Sequence, residues 1–561
     1  MRKAGVTVPF INNDNTDLGL WAPGTGLGKV DIYSFDDYPM GFFCEQPWGA
    51  PPTNYLERRQ TSPSTPFAIS KFQGGSIGLW GNLGNSPTNC AVHVDDAAIR
   101  VYYKNNYAAG VEFMNVYMAV GSTNWGNTGS SFSPTTYDYA AAIPETRLLT
   151  RDKYYELKMQ TTFLQTSPSY LVATPANSTT STYTSSTNIN VTPLFGKSDE
   201  PCNMYVGRKS NVTSVEATTY TLTVPFGSGE ITIPPLGGEL TMPGRDTRIH
   251  VTQYPLGDLP ATLAYSTAEI FTWGSSDHHG VVTLYAGIGE THEYAFPEHL
   301  GRPQQSEGSH KFTKISLVNG QWVVQWRVTS ARQVVCFSNI KLELHMLSRE
   351  DAYHHWRLEL PSKKFGNYTS RSKQAVIVKG GYLLRAAKIS GHELKLNGDI
   401  NATTDFELLF DPTGKVKSIS INGMSTKSNR GKKAGRPSLH VPFVAPSISL
   451  PDLTAAKWSY LDSLPELAAD FDDSAWASCN RSNFSNTLLP KSLVAGDYGY
   501  FAGHSLYRSH FTATGKENLL YMNATGGGPS IWSVWLNSTF LGSASAVANL
   551  SINSSLISGK P

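Results

Sequence analysis

Net charge, paired thiols and long apolar runs are all scarce in this chain of 561 residues, and each shortage removes a class of function. Lys plus Arg at 46 against Asp plus Glu at 44 leaves +2, too weak a field to gather nucleic acid or an anionic membrane. The densest basic cluster, Lys427, Arg430, Lys432, Lys433 and Arg436, lies among Ser, Asn and Gly and reads as a solvated loop. Five cysteines without a Cys-x-x-Cys pair argue against a zinc site, and the odd number leaves at least one thiol unpaired. Cys44 and Cys90 share a Gly/Pro-rich stretch and can staple two loops. Nowhere do eighteen apolar residues run together, so no membrane-spanning helix is expected. The opening apolar stretch, Val6 to Ile11, stops at Asn12-Asn13-Asp14 and is too short for a signal peptide. Glycine-rich phosphate loops and Gly-x-Ser-x-Gly elbows are missing, leaving nucleotide and serine-hydrolase chemistry without support. His278-His279 with His292, and His354-His355-Trp356, are expected to be surface groups rather than metal ligands, because adjacent strand residues face opposite sides.

What is present is glycine (49 residues), tyrosine (27) and abundant Ser and Thr, a composition suited to secreted β-rich proteins whose aromatic rings stack on sugars. Asn-x-Ser/Thr sequons begin at Asn177 and recur at Asn190, Asn211, Asn367, Asn401, Asn480, Asn483, Asn523, Asn537, Asn549 and Asn553, which sets the first 176 residues apart. In that first part short apolar runs, Val6–Ile11, Val30–Tyr33, Phe67–Ile69 and Val111–Met118, read as buried parallel strands. Helices are expected over Asp95–Lys104 and Arg151–Leu164, the second with Tyr154, Leu157 and Leu164 along one face. Residues Asn177–Thr187, nearly all Asn, Ser and Thr, read as a linker. Beyond it the pattern alternates, as in Tyr220–Val224, Ile231–Ile233 and Ile315–Val324, with Asn319-Gly320 and Asn422-Gly423 as hairpin turns and a further hairpin through Asn537-Ser538-Thr539.

Three motifs stand at the ends of the early strands: Asp36-Asp37-Tyr38-Pro39-Met40-Gly41-Phe42, Lys71-Phe72-Gln73-Gly74-Gly75, and Gly121-Ser122-Thr123-Asn124-Trp125-Gly126 followed by Thr136-Tyr137-Asp138-Tyr139. In this order and spacing they resemble the last four barrel strands of the family 35 β-galactosidases. Pro23–Gly26, Ser62–Pro66, Asp246–Thr252, Ser266–Trp273, Gly380–Arg385, Asp497–Tyr500 and Ser533–Asn537 are similar to the fungal branch.

The resemblance implies a multidomain chain. Residues 1–165 would be strands 5–8 of a (β/α)8 barrel, 166–350 an antiparallel β domain, 351–445 a small β-sandwich, and 446–561 a truncated jelly roll of galactose-binding type. It implies retaining hydrolysis of terminal β-D-galactose from oligo- or polysaccharides without a cofactor, in a secreted monomer. Tyr38 and Tyr139 would line the sugar pocket, Cys44 and Cys90 would form a disulfide, and Asn177, Asn190, Asn211, Asn367, Asn401, Asn523 and Asn537 are the glycan candidates. Such hydrolysis needs two carboxyl groups across the scissile bond. The residue before Phe-Gln-Gly-Gly is the family's glutamate nucleophile, and here it is Lys71. An ammonium opposes the positive charge of the oxocarbenium-like transition state. The acid/base glutamate would lie upstream of Met1. The chain as written is therefore expected to be inactive, with a non-catalytic glycan-binding relative or a decayed gene fragment as the other readings. Asp37, Glu45, Glu112 and Asp138 are the nearby acids, none at a matching position.

Overall fold

The computed structural model describes all residues except 16–17, 53–54, 80–82, 126–128, 130–133, 258, 277–278, 338, 366–367, 426–434, 484–489, 501–503, 525–530, 545–546, 554–555 and 557–561; of 56–58, 83, 362–365 and 368–373 only the backbone is described. Asn367, His278 and the basic residues Lys427, Arg430, Lys432 and Lys433 thus lie outside the described residues.

The first part is built on three parallel strands, β1 (Ser34–Asp37), β2 (Ala68–Gln73) and β3 (Phe113–Tyr117), in the order β1-β2-β3. Single parallel bridges, Ile11 to Ile32 and Asp14 to Phe35, extend the sheet beyond β1. The expected strand Val6–Ile11 does not form. Arg2 takes the carbonyls of Val6 and Val8, and Val8 and Ile11 stay exposed. Helix α1 (96–108), capped by the Asp95 carboxylate on the Ala98 N–H, runs between β2 and β3. Its middle, Ile99–Tyr103, is a π turn, and Val101, Tyr102, Tyr103 and Tyr107 are buried. Helix α2 (Asp152–Thr166) lies where the sequence places it but buries another face. Lys153, Glu156, Met159, Gln160 and Phe163 are enclosed, while Tyr154 packs against the third region. The helix is covered on several sides, so its polar residues find partners in distant chain.

Residues 174–187 are no loose linker. Thr174–Pro175 and Thr179–Thr180 both pair with Ile189–Phe195, Thr184 is buried and bridges Leu222, and the Thr223 N–H donates to the Tyr183 carbonyl. Threonine is a strand former, and its hydroxyl can be satisfied locally, which a reading by polarity overlooks. From here a nine-stranded sheet runs, in the order 313–318, 321–327, 291–297, 262–266, 247–255, 203–209, 189–195 and 174–175, with 179–180 also on 189–195. The hairpin at Asn319-Gly320 has both residues at positive φ (49° and 72°), as a two-residue turn of this kind requires. A five-stranded sheet, 269–276, 279–286, 342–348, 333–337 and 304–307, follows.

Between these sheets and α1 lies a cluster of enclosed charges. Arg248 is fully buried, 3.0 Å from Asp246, 3.6 Å from Glu269 and 2.7 Å from Glu290. Lys104 of α1 reaches Glu269 at 2.6 Å, and Arg100 and Arg349 reach Asp246 at 3.3 and 3.0 Å. Burial alone would raise the Asp246 pKa, but the guanidiniums of Arg248, Arg349 and Arg100 hold it far below the usual carboxylate range. His292, expected at the surface, belongs here. It is buried, 2.8 Å from Glu290 and in contact with Thr267. His355 and Trp356 are buried too, with His355 Nδ1 on the Asp351 carbonyl, whereas His354 is exposed. Hydrogen bonds to carboxylate and carbonyl make an enclosed imidazole affordable, and adjacent strand residues do not reveal which face is covered.

A third region packs a four-stranded sheet (355–365, 368–379, 404–410, 438–441) on a three-stranded one (383–390, 393–399, 418–421) around Trp356, Val376, Phe406 and Ile421. Towards the C-terminus the described residues form two antiparallel pairs, Leu519–Asn523 with Val547–Ser551 and, between them in sequence, the hairpin Trp532–Leu536 with Thr539–Ala544, turning through Asn537-Ser538.

Candidate functional site

The three motifs meet at the C-terminal ends of the parallel strands. Asp36 and Lys71 are register partners on β1 and β2, and β3 ends at Tyr117. The Lys71 ammonium lies 3.2 Å from Asp36 Oδ2, 5.5 Å from the Tyr38 ring centre and 5.6 Å from that of Tyr117. Its side chain is 33% exposed, so it faces an opening rather than the core. The Tyr117 and Tyr137 hydroxyls hydrogen-bond each other. The Tyr139 ring meets Tyr117 edge-on at 5.0 Å, and Phe42 packs on Tyr38 at 4.8 Å. The result is one ammonium in a cup of aromatic rings.

The electrostatics keep that ammonium charged. Burial lowers the Lys71 pKa, but hydrogen bonds to Asp36 and Tyr38 outweigh it and the net shift is upward. Tyr38 is raised by burial, which Lys71 partly offsets. Tyr139 is raised well beyond the ordinary phenol range, by burial first and then by Tyr38 and Tyr117.

Four devices hold the cup. Gln73 accepts the Met40 N–H at 3.0 Å and donates to the carbonyls of Gly41 and Gly75. Asn85 accepts the Cys44 N–H and donates to Phe42, and the Cys44–Cys90 disulfide closes the same loop with Cα atoms 5.0 Å apart. Tyr139 and Ala140 sit at φ of 57° and 51°, and a Cβ on Gly75 would stand 1.8 Å from the Tyr139 carbonyl, so only glycine allows this approach. Lys153 of α2, fully enclosed, donates to the carbonyls of Gly74 (2.9 Å) and Ala140. Burial, with Arg151 adding to it, brings its amine down to about 7.

The other carboxylates of this region are placed elsewhere. Asp138 accepts from the N–H groups of Ala140 and Glu145 and from Arg151 at 2.7 Å, which makes it the brace of the Tyr139 turn. Glu112 accepts the Phe67 N–H at the opposite ends of the strands, and Glu45 is exposed beside Gly84. Asp37 is half-buried at the end of β1. Among the described residues Asp36 is the carboxylate that reaches Lys71. Sequence reading singled out Tyr38, Tyr139 and Lys71, and the fold brings them together. It passed over Tyr117, recognisable only as the last residue of a strand, and Lys153, which a helical pattern assigns to solvent. Among the described residues no group of His, Cys, Asp and Glu forms a metal site.

Comparison with known families divides the chain in the same direction as its fold. Residues 1–164 match the glycosyl hydrolases family 35, 172–355 β-galactosidase domain 2, 356–436 β-galactosidase domain 3, and 471–558 the β-galactosidase second all-beta domain. The chain is 46% identical over 553 residues to probable β-galactosidase E of Aspergillus fumigatus and 42% identical over 556 residues to β-galactosidase A of a Penicillium species. It is also 42% identical over 554 residues to β-galactosidase A of Aspergillus niger. Each comparison covers 97% of this chain and 54% of the relative, so the chain spans about half the length of the curated relatives it matches.

Proposed function

From the premise that this chain belongs to glycosyl hydrolase family 35, we propose that the cup around Lys71 is a β-galactosidase sugar site whose nucleophile position carries a lysine. The parallel strands are read as half of an eight-stranded barrel and the C-terminal strand pairs as part of a jelly roll. The sequons and the disulfide fit a secreted glycoprotein. The substrate is a terminal, non-reducing β-D-galactose, its ring lying against Tyr38 and Tyr139, with the anomeric carbon above residue 71.

One observation carries this reading: the side chain at position 71, near the C-terminal end of β2, is one-third exposed and flanked by Tyr38 and Tyr117, with Tyr139 buried behind Tyr117. A carboxylate there would stand against the developing positive charge of the anomeric carbon. The ammonium repels that charge and, being protonated, has no lone pair with which to attack. Retaining hydrolysis through this position does not run.

The test is Lys71→Glu in the full chain, treated with 2,4-dinitrophenyl 2-deoxy-2-fluoro-β-D-galactoside. That leaving group departs without a general acid, so only the nucleophile is interrogated. Mass spectrometry is expected to show a covalent fluorogalactosyl adduct on residue 71 of the variant and none on the unaltered chain. Absence of an adduct from a folded variant, or an adduct at another residue of the unaltered chain, refutes the assignment.

A further inference from the structure

The same exchange that removes a nucleophile supplies a binding group. An ammonium has three N–H donors. At Lys71 the ammonium meets Asp36 at 3.2 Å and stands 5.5 Å from the Tyr38 ring centre. The side chain is one-third exposed, so the ammonium keeps donor capacity towards solvent. The rings beside it, Tyr38 and Tyr117, with Phe42 packed on Tyr38, offer apolar surface of the kind that small-molecule sites pair with a few fixed polar groups. A cation so placed attracts negative charge, and a charge-assisted hydrogen bond is about twice as strong as a neutral one.

Resting on the sugar-site reading above, we infer that this site takes a galactose bearing an anionic group on its anomeric carbon, such as a galactosyl phosphate, in preference to the neutral galactoside. The ring occupies the aromatic cup, and the anion replaces the missing carboxylate–carbon contact with an ammonium–anion contact from the face on which Lys71 stands. Asp36 tempers the attraction, because it already pairs with the same ammonium. The preference is therefore set at about tenfold, below that of an unpaired cation, and it weakens as salt screens a partly exposed pair.

The experiment titrates the full chain with methyl β-D-galactoside, α-D-galactose 1-phosphate, α-D-glucose 1-phosphate and inorganic phosphate, followed by ligand-observed NMR at two salt concentrations. Galactose 1-phosphate is expected to bind about tenfold more tightly than the methyl galactoside, and the two phosphates lacking galactose more weakly than either. Lys71→Met should remove the difference and Lys71→Glu reverse it; Lys71→Gln, which keeps a donor, serves if the methionine variant fails to fold. Equal binding of the charged and neutral galactosides, or a preference that survives loss of the lysine, overturns this inference and leaves the sugar site intact. Binding of neither galactose ligand overturns the sugar-site reading with it.

Discussion

The N-terminal sheet and the nine-stranded sheet that follows both pair a cation with carboxylate, and they put it to opposite uses. Arg248, in the second, is wholly enclosed and touched by three carboxylates, with Lys104, Arg100 and Arg349 closing the circuit between regions. Lys71, in the first, is one-third exposed and has Asp36 as its carboxylate. A fully enclosed cation is out of reach of a ligand, whereas a partly exposed one near a strand end is not. Charge used as a weld and charge used as a site are told apart by exposure and by the number of partners, not by residue type.

Three substitutions sharpen that contrast. The largest effect is expected from Arg248→Met, which leaves Asp246, Glu269 and Glu290 enclosed without their shared counter-ion; breaking a buried pair from one side costs about 3–5 kcal/mol. The urea unfolding transition should move accordingly, and an unchanged midpoint would show the cluster to be hydrated. Next is Lys153→Met, which strands the Gly74 and Ala140 carbonyls at about 1–3 kcal/mol for an unmet buried acceptor. Its sign depends on pH. Lys153 is held down at about 7 in the folded chain against an ordinary 10.5, so between these values the unfolded state binds the extra proton and stability rises with pH. The stability of the unaltered chain relative to the methionine variant should rise from pH 7 to pH 9; a constant difference would mean the amine is not depressed. Smallest is Lys71→Met, expected to alter stability by no more than about 0.5 kcal/mol, since a partly exposed ion pair contributes little. A large loss there would place Lys71 among the welds.

How much of this could be read from the amino acids alone follows the same division. The hairpin at Asn319-Gly320 and the strand ends carrying Tyr38, Lys71 and Tyr139 were legible, because turn chemistry and short motifs are local. The enclosed faces were not. Lys153 and Glu156 look like the solvent side of a helix until partners from residues 74, 140 and 100 are brought to them. His292 and His355 look exposed until Glu290 and Asp351 are seen beside them. Polarity in a sequence marks the surface only where nothing distant answers it.

The stretch 174–187 carries one more consequence. Because it is sewn as edge strands onto 189–195, the chain passes from the parallel sheet into the β sheet without slack. A protease probing for a hinge should find no cut there that frees one unit from the other. A pull applied to the two ends would have to unzip backbone ladders before it could part them.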